Sequence, residues 1–238
     1  APTAGFVGVD TFTFKVTDTL GDSTAATVSI TITAINDAPV AIIPVVDTLA
    51  GVNWTARAAS GSRAWQAIAV STDGQKLAAA VDGGSIYTSS NSGSTWSAVG
   101  TDRNWQAIAS SSDGSKLAAV VDAGQIYTST DSGANWTARE TVRNWKSVAS
   151  SADGQNLVAA VYSGKIYTSV DAGLNWTARD SDRPWYAVAS SSSGSNLVAA
   201  VYGGGLYTST NVGTNWVLRT AGDKLWASVA SSANGLKL

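Results

Sequence analysis

The residues of this chain with ligand-binding chemistry are few, and most of them are periodic. An arginine stands two positions before a tryptophan at Arg63 and Trp65, Arg103 and Trp105, Arg143 and Trp145, and Arg183 and Trp185, and Lys224 takes the arginine's place before Trp226. An indole face stacks on a sugar ring, and a guanidinium forks onto hydroxyl or carboxylate oxygens. A ring of such pairs would be a multivalent glycan-binding surface. The same spacing has a second reading, in which the tryptophans are core and the arginines are solvated or stacked on them. Acid–base chemistry has little to draw on. The chain has no His and no Cys, which leaves carboxylates, Tyr and Lys and removes the ligands of a structural zinc site. Glu140 is the single glutamate, and Asp82 and Asp122 belong to repeated turns whose counterparts are Tyr162 and Tyr202. A glycosidase needs two carboxylates across the scissile bond, and a catalytic site breaks a repeat's symmetry. We therefore expect no catalysis from this chain, and no cofactor.

The bulk properties narrow the partners further. A net charge of -2 and a sequence pI near 5.0 leave no polybasic surface for nucleic acid. No apolar run approaches the roughly 18 residues of a membrane helix, so no membrane insertion is expected. A chain of 238 residues with 13% charged residues and abundant Ser, Thr, Gly and Ala suits many short strands and tight turns rather than helices.

Composition shifts along the chain. Phe6, Phe12 and Phe14 are all the phenylalanines and precede residue 40, whereas all ten tryptophans follow residue 53. In the first part Phe12, Phe14 and Val16 alternate with threonines and Lys15, and Val28, Ile30 and Ile32 alternate with Ser29, Thr31 and Thr33. This is the period of half-buried strands, with "TLGDS" as the turn between them. "GVDTFTFKVTD…GDSTAATVSITITAINDAPV" resembles the end of the cadherin-like and immunoglobulin-like modules of bacterial surface proteins. The resemblance implies a C-terminal part of a β-sandwich over residues 1–40, a linker over 41–53, and calcium held near Asn36 and Asp37. Calcium needs carboxylates from both neighbouring modules; the alternative is a polar turn stiffened by Pro39.

Residues 54–238 carry a 40-residue repeat with units beginning at Trp65, Trp105, Trp145, Trp185 and Trp226. Each unit splits at its Gly- and Asp-rich turns into four strands, here A to D; in the second unit they are "WQAIASS", "KLAAVVD", "QIYTST" and "NWTARE". Runs such as "LAAAV" and "LVAAV" do not alternate, so both sheet faces must be covered by close neighbours. Four-stranded units of this length, covered on both sides, describe β-propeller blades. The expected fold is all-β: four complete blades and a partial fifth, forming an open or incompletely closed arc of a six- to eight-bladed propeller. A five-bladed ring closed by both ends is the alternative. A meander also sorts the loops. The D–A and B–C loops share one face, and the A–B and C–D turns share the other.

The C–D turn repeats Ser-x-Asp/Asn-x-Gly-x-Asn/Thr-Trp, with Asn91, Gly93 and Trp96, then Asp131, Gly133 and Trp136, then Asp171, Gly173 and Trp176, then Asn211, Gly213 and Trp216. The Asp or Asn accepts bonds from turn amides, the Gly takes positive φ, and the Trp is expected to begin strand D and fill the gap between blades. These motifs closely resemble the Asp-box, or BNR repeat, of sialidases, xyloglucan-cleaving glucanases, sortilin-type receptors and the photosystem II assembly factor. The resemblance implies a structural role for the turn and ligand binding on the opposite face. It leaves three functions: a non-catalytic adhesion or carbohydrate-binding module, a glycoside hydrolase fragment with its catalytic residues elsewhere, or a protein-interaction scaffold. The adhesion module, on a large exported surface protein meeting a glycan or surface protein outside the cell, is the preferred expectation. A second arginine series, Arg57, Arg139, Arg179 and Arg219, falls on the outer strands, where charge blocks edge pairing.

Overall fold

The computed structural model describes residues 8–14, 17–18, 21–22, 26–32, 56 and 60–238, with side chains from residue 60 onward except at 221 and 223. The chain forms two compact units, Ala1–Ala56 and Arg57–Leu238. In the first, strand β1 (Gly8–Phe14) pairs antiparallel with β4 (Ala26–Ile32), Phe12 opposite Val28, and the short β2 (Thr17–Asp18) pairs with β3 (Gly21–Asp22). The two alternating segments of the sequence are thus partners. Asn36, Asp37, the 41–53 linker and Arg57 lie outside the described residues.

The second unit contains β5 (Trp65–Val70), β6 (Leu77–Ser89), β7 (Ser97–Ser110), β8 (Leu117–Val121), β9 (Gly124–Ser129), β10 (Thr137–Arg143), β11 (Trp145–Ser150), β12 (Leu157–Val161), β13 (Gly164–Ser169), β14 (Thr177–Arg183), β15 (Trp185–Ser190), β16 (Leu197–Ser209) and β17 (Val217–Leu225). Every pairing is antiparallel. The third repeat is one four-stranded sheet in chain order, β11-β12-β13-β14. Elsewhere strands run into one another. β6 carries strands B and C of the first blade, β7 carries strand D of the first and strand A of the second, and β16 carries B and C of the fourth. The fold is an all-β propeller arc of four such blades and part of a fifth.

Small apolar residues in strand B let each sheet be covered twice. In β8, Leu117, Ala119 and Val121 pack with Ala78, Ala80 and Ile86 of the preceding blade. The residues between them, Ala118 and Val120, pack with Trp145, Val148 and Leu157 of the following blade. Successive strand positions therefore feed opposite interfaces, as the non-alternating runs require. Each fully buried Val or Leu contributes about 1.5–3 kcal/mol.

A backbone ladder ties the blades through the A–B turns, just beyond strand A. Thr72 N donates to Ser112 O at 2.8 Å, Ser112 N to Ala152 O at 2.7 Å, Ala152 N to Ser192 O at 2.7 Å and Ser192 N to Ala233 O at 2.8 Å. The two loop faces are as the meander requires. Ser132 N of a C–D turn donates to Ser115 O of an A–B turn at 2.8 Å, while Tyr162 N of a B–C turn donates to Asn144 O of a D–A segment at 2.8 Å.

Three details differ from expectation. Strand D begins one residue after the motif tryptophan, at Thr137 and Thr177, because the Trp side chain is drawn into the turn. Strand D also runs on past a bulge, in which residues 140–142 oppose Gln125 alone and Glu140 takes φ 57°. The fifth unit has no strand in 226–238. Its A–B turn is nonetheless closed, Ser232 N donating to Lys237 O at 2.9 Å; two strands without C and D have little sheet to join. At the other end, the first blade's outward face is uncovered among the described residues. Trp65 is 36% and Ile68 62% exposed, whereas their counterparts Trp105 and Ile108 are 1% and 7% exposed.

Candidate functional site

Each C–D turn is built around a buried serine. Ser129 Oγ accepts from Gly133 N at 2.9 Å and donates to Asp131 Oδ1 at 2.7 Å. Asp131 in turn accepts from Asn135 N at 2.9 Å and from Asn135 Nδ2 at 2.7 Å. Ser169, Asp171, Gly173 and Asn175 repeat this, and Trp176 Nε1 donates to Gly173 O at 3.0 Å. In the first and fourth blades Asn91 Oδ1 and Asn211 Oδ1 receive the same backbone amides, from Thr95 and Asn215, at 2.9 Å. Only the side-chain oxygen is needed for that bond, which explains why Asp and Asn alternate. Ser89, Ser129, Ser169 and Ser209 were visible in the sequence as invariant members of the motif; their role as hubs was not, because it needs the turn's closure to bring residue i+4 back onto the hydroxyl. The glycines also mark close approach between blades: a Cβ on Gly133 would stand 2.8 Å from Thr88 Cγ2 of the preceding blade.

Hydrogen bonds from Asn135 and Asn175, then from Ser129 and Ser169, hold the Asp131 and Asp171 carboxyls down to about 2. A folded-state pKa below the unfolded value gives stability that is present above about pH 4 and is lost as pH falls toward the folded value. We expect the melting midpoint to fall between about pH 4 and pH 2, and to fall less steeply in an Asp131→Asn/Asp171→Asn variant. Thermal melts across that range check this; identical slopes would contradict it. The A–B turns use the same device: Ser71, Ser111 and Ser151 hydroxyls donate to Asp73, Asp113 and Asp153, and those bonds lower all three carboxyls.

On the opposite face the structure gathers Arg, Trp and Tyr rather than Arg and Trp alone. Trp105, Trp145 and Trp185 are buried and meet Tyr127, Tyr167 and Tyr207 edge-on at 5.3, 5.1 and 5.1 Å between centroids. The guanidinium groups lie over the tyrosines: Arg63 over Tyr87 and Arg103 over Tyr127 at 4.4 Å, Arg143 over Tyr167 and Arg183 over Tyr207 at 4.8 Å. Strand A is innermost and its Trp enters the interface with the preceding blade, so these three indole faces are not open to a ligand. Trp65, on the uncovered first blade, is the exception. The Arg143 and Arg183 side chains keep 36% exposure while pairing with Glu140 at 3.5 Å and Asp180 at 3.9 Å. The second arginine series pins strand D to strand C: Arg139, Arg179 and Arg219 Nε donate to Thr128, Thr168 and Thr208. Among the described residues no three His, Cys, Asp or Glu side chains gather as a metal site.

Comparison with known proteins agrees with this geometry. A family model described as DUF6242 beta propeller domain matches residues 43–150. The fold is that of a β-propeller. No curated protein sequence matches the chain. Among solved structures, the chain is similar to a GH74 enzyme of Niastella koreensis, with TM-score 0.53 and 25% identity over 64% of this chain and 24% of that one. It is similar to an ancestral GH74 enzyme, with TM-score 0.61 and 23% identity over 73% of this chain and 27% of that one. It is also similar to YCF48 from Cyanidioschyzon merolae, with TM-score 0.54 and 16% identity over 70% and 59% of the two chains. The chain thus spans about a quarter of the GH74 enzymes it matches.

Proposed function

We propose that this chain is a non-catalytic binding module that takes a glycan on its D–A and B–C loop face, as part of an exported bacterial surface protein. In this reading the four C–D turns are Asp-boxes, and residues 1–40 end a cadherin-like spacer. The observation that carries it is how the carboxylates are used. Among the described residues, every carboxyl whose pKa is displaced is displaced downward, by the turn it anchors, whereas a glycosidase's acid must be held protonated by a raised pKa. Glu140 is paired with Arg143. The loop face meanwhile offers arginine side chains about a third exposed on aromatic supports, suited to hydroxyl or carboxylate oxygens.

A second reading is a hydrolase propeller whose catalytic residues lie outside this chain; the 25% identity to a GH74 enzyme favours it. A glycan array with the wild type and an Arg103→Ala/Arg143→Ala variant tests the first reading, with melting temperature as the folding control. Binding by the wild type and a loss of about tenfold or more in the variant is the expected outcome. An array with no bound glycan would overturn the reading, as would turnover of an aryl glycoside abolished by one Asp or Glu substitution.

A further inference from the structure

Two series of positions on the loop face have a repeated backbone but side chains that change partway along the repeat. The first is in strand A. In every blade its pairing with strand B slips by one residue after the tryptophan, between Trp65 and Ala67, Trp105 and Ala107, Trp145 and Ser147, and Trp185 and Ala187. The bulged residues are Gln66, Gln106, Lys146 and Tyr186. A bulge re-aims a side chain out of the ladder. The second series opens the B–C turn: Asp82, Asp122, Tyr162 and Tyr202, whose amides donate to Ala64, Asn104, Asn144 and Pro184 carbonyls at 2.8–3.0 Å. Since the same bulge and turn form around Gln and Asp, the fold does not require tyrosine at 162, 186 or 202.

We infer that Tyr186 and Tyr202, with Tyr162 edge-on beside them, form an aromatic platform that binds the flat face of a linear, uncharged oligosaccharide of equatorially linked pyranoses. The three rings are contiguous across two blades. Tyr186 stands between the others: it is 5.3 Å from Tyr202 by ring centroids and inclined to it by 35°, and 6.4 Å from Tyr162, which meets it edge-on at 79°. Tyr202 is 40% exposed, so part of its aromatic surface is left in water. A pyranose whose substituents are equatorial presents axial C–H groups as an apolar plate matching such a surface. Polar groups for its hydroxyls stand alongside. Tyr162 is on the rim of a 440 Å³ cavity lined by Arg143, Asn144, Lys165 and Asp182, which supplies both donors and acceptors. On the next bulge Lys146 Nζ donates to Gln106 Oε1 at 2.9 Å, continuing a polar rim. An apolar plate with a few converging polar groups is the ordinary composition of a small-ligand site.

The inference rests on the glycan-binding reading and names its site and ligand class. Titration calorimetry of the full chain with xylohexaose and with chitohexaose tests it, using Tyr186→Gln and Tyr202→Asp. Both substitutions install what the other blades carry at the same backbone position, so the melting temperature should not move. The expected result is binding of at least one hexasaccharide by the wild type and about tenfold weaker binding or more in each variant. Unchanged affinity in both variants would overturn the platform while leaving the glycan reading standing, as would a wild type that binds array glycans but neither hexasaccharide. An array that is silent altogether would remove both.

Discussion

Trp145→Ala should destabilise the protein by about 3–5 kcal/mol, whereas Trp65→Ala, at the same place in the repeat, should cost less than about half as much. The two indoles share their intrablade partners. Trp65 meets Tyr87 edge-on at 5.5 Å and Trp96 at 6.1 Å; Trp145 meets Tyr167 at 5.1 Å and packs with Trp176. What differs is the preceding blade. Trp145 is fully buried among Ala109, Ala118, Val120 and Ile126 of that blade, and its removal leaves a cavity lined by short side chains fixed on strands, with little freedom to collapse. Trp65 has no such lid among the described residues and is already 36% exposed, so truncation there loses a partly solvated surface and leaves no enclosed void. For a unit of this size each kcal/mol moves the midpoint by about 2–4 °C, so the Trp145 variant should melt roughly 10 °C lower. Thermal denaturation followed by circular dichroism measures both. Equal losses at the two positions would mean that Trp65 is covered in solution.

Much of this architecture was legible because it is repeated. Glycine- and aspartate-rich turns at a fixed period divide each unit into strands, and uninterrupted runs such as Leu157–Val161 announce a sheet covered on both faces. The position of the Asp or Asn in the C–D turn told its role. Contacts that depend on loop closure were not legible. Arg103 reaches Tyr127 only because strand D bulges before it, and nothing local marks Glu140 and Asp180 for φ of 57° and 55°, since neither is the glycine that such angles favour. The choice between core and ligand for Trp105 could not be read from spacing, because both readings need an aromatic at the inner strand's start; burial decides it. Tyr186 escaped notice for the opposite reason. It is a single residue in a series of Gln66, Gln106 and Lys146, and its meaning comes from two tyrosines that the turns bring beside it from other parts of the sequence.

Repeated residues join one blade to the next, and the first blade's joint is vacant among the described residues. Gly74 and Gly154 test this most directly. They occupy the same A–B turn with the same backbone, φ 71° and 68°. In both, alanine meets the left-handed strain of about 1 kcal/mol. A Cβ on Gly74 meets nothing within 4 Å, but on Gly154 it would stand 2.9 Å from Lys116 Cβ and 3.1 Å from Ser111 Cβ of the preceding blade. Such overpacking adds about 1–3 kcal/mol, since Cβ atoms move only with their strands. The measurement is the melting midpoint of Gly74→Ala and Gly154→Ala beside the wild type. A small loss is expected at Gly74 and a loss two- to four-fold larger at Gly154; equal losses at the two sites would mean that the turns do not pack blade against blade.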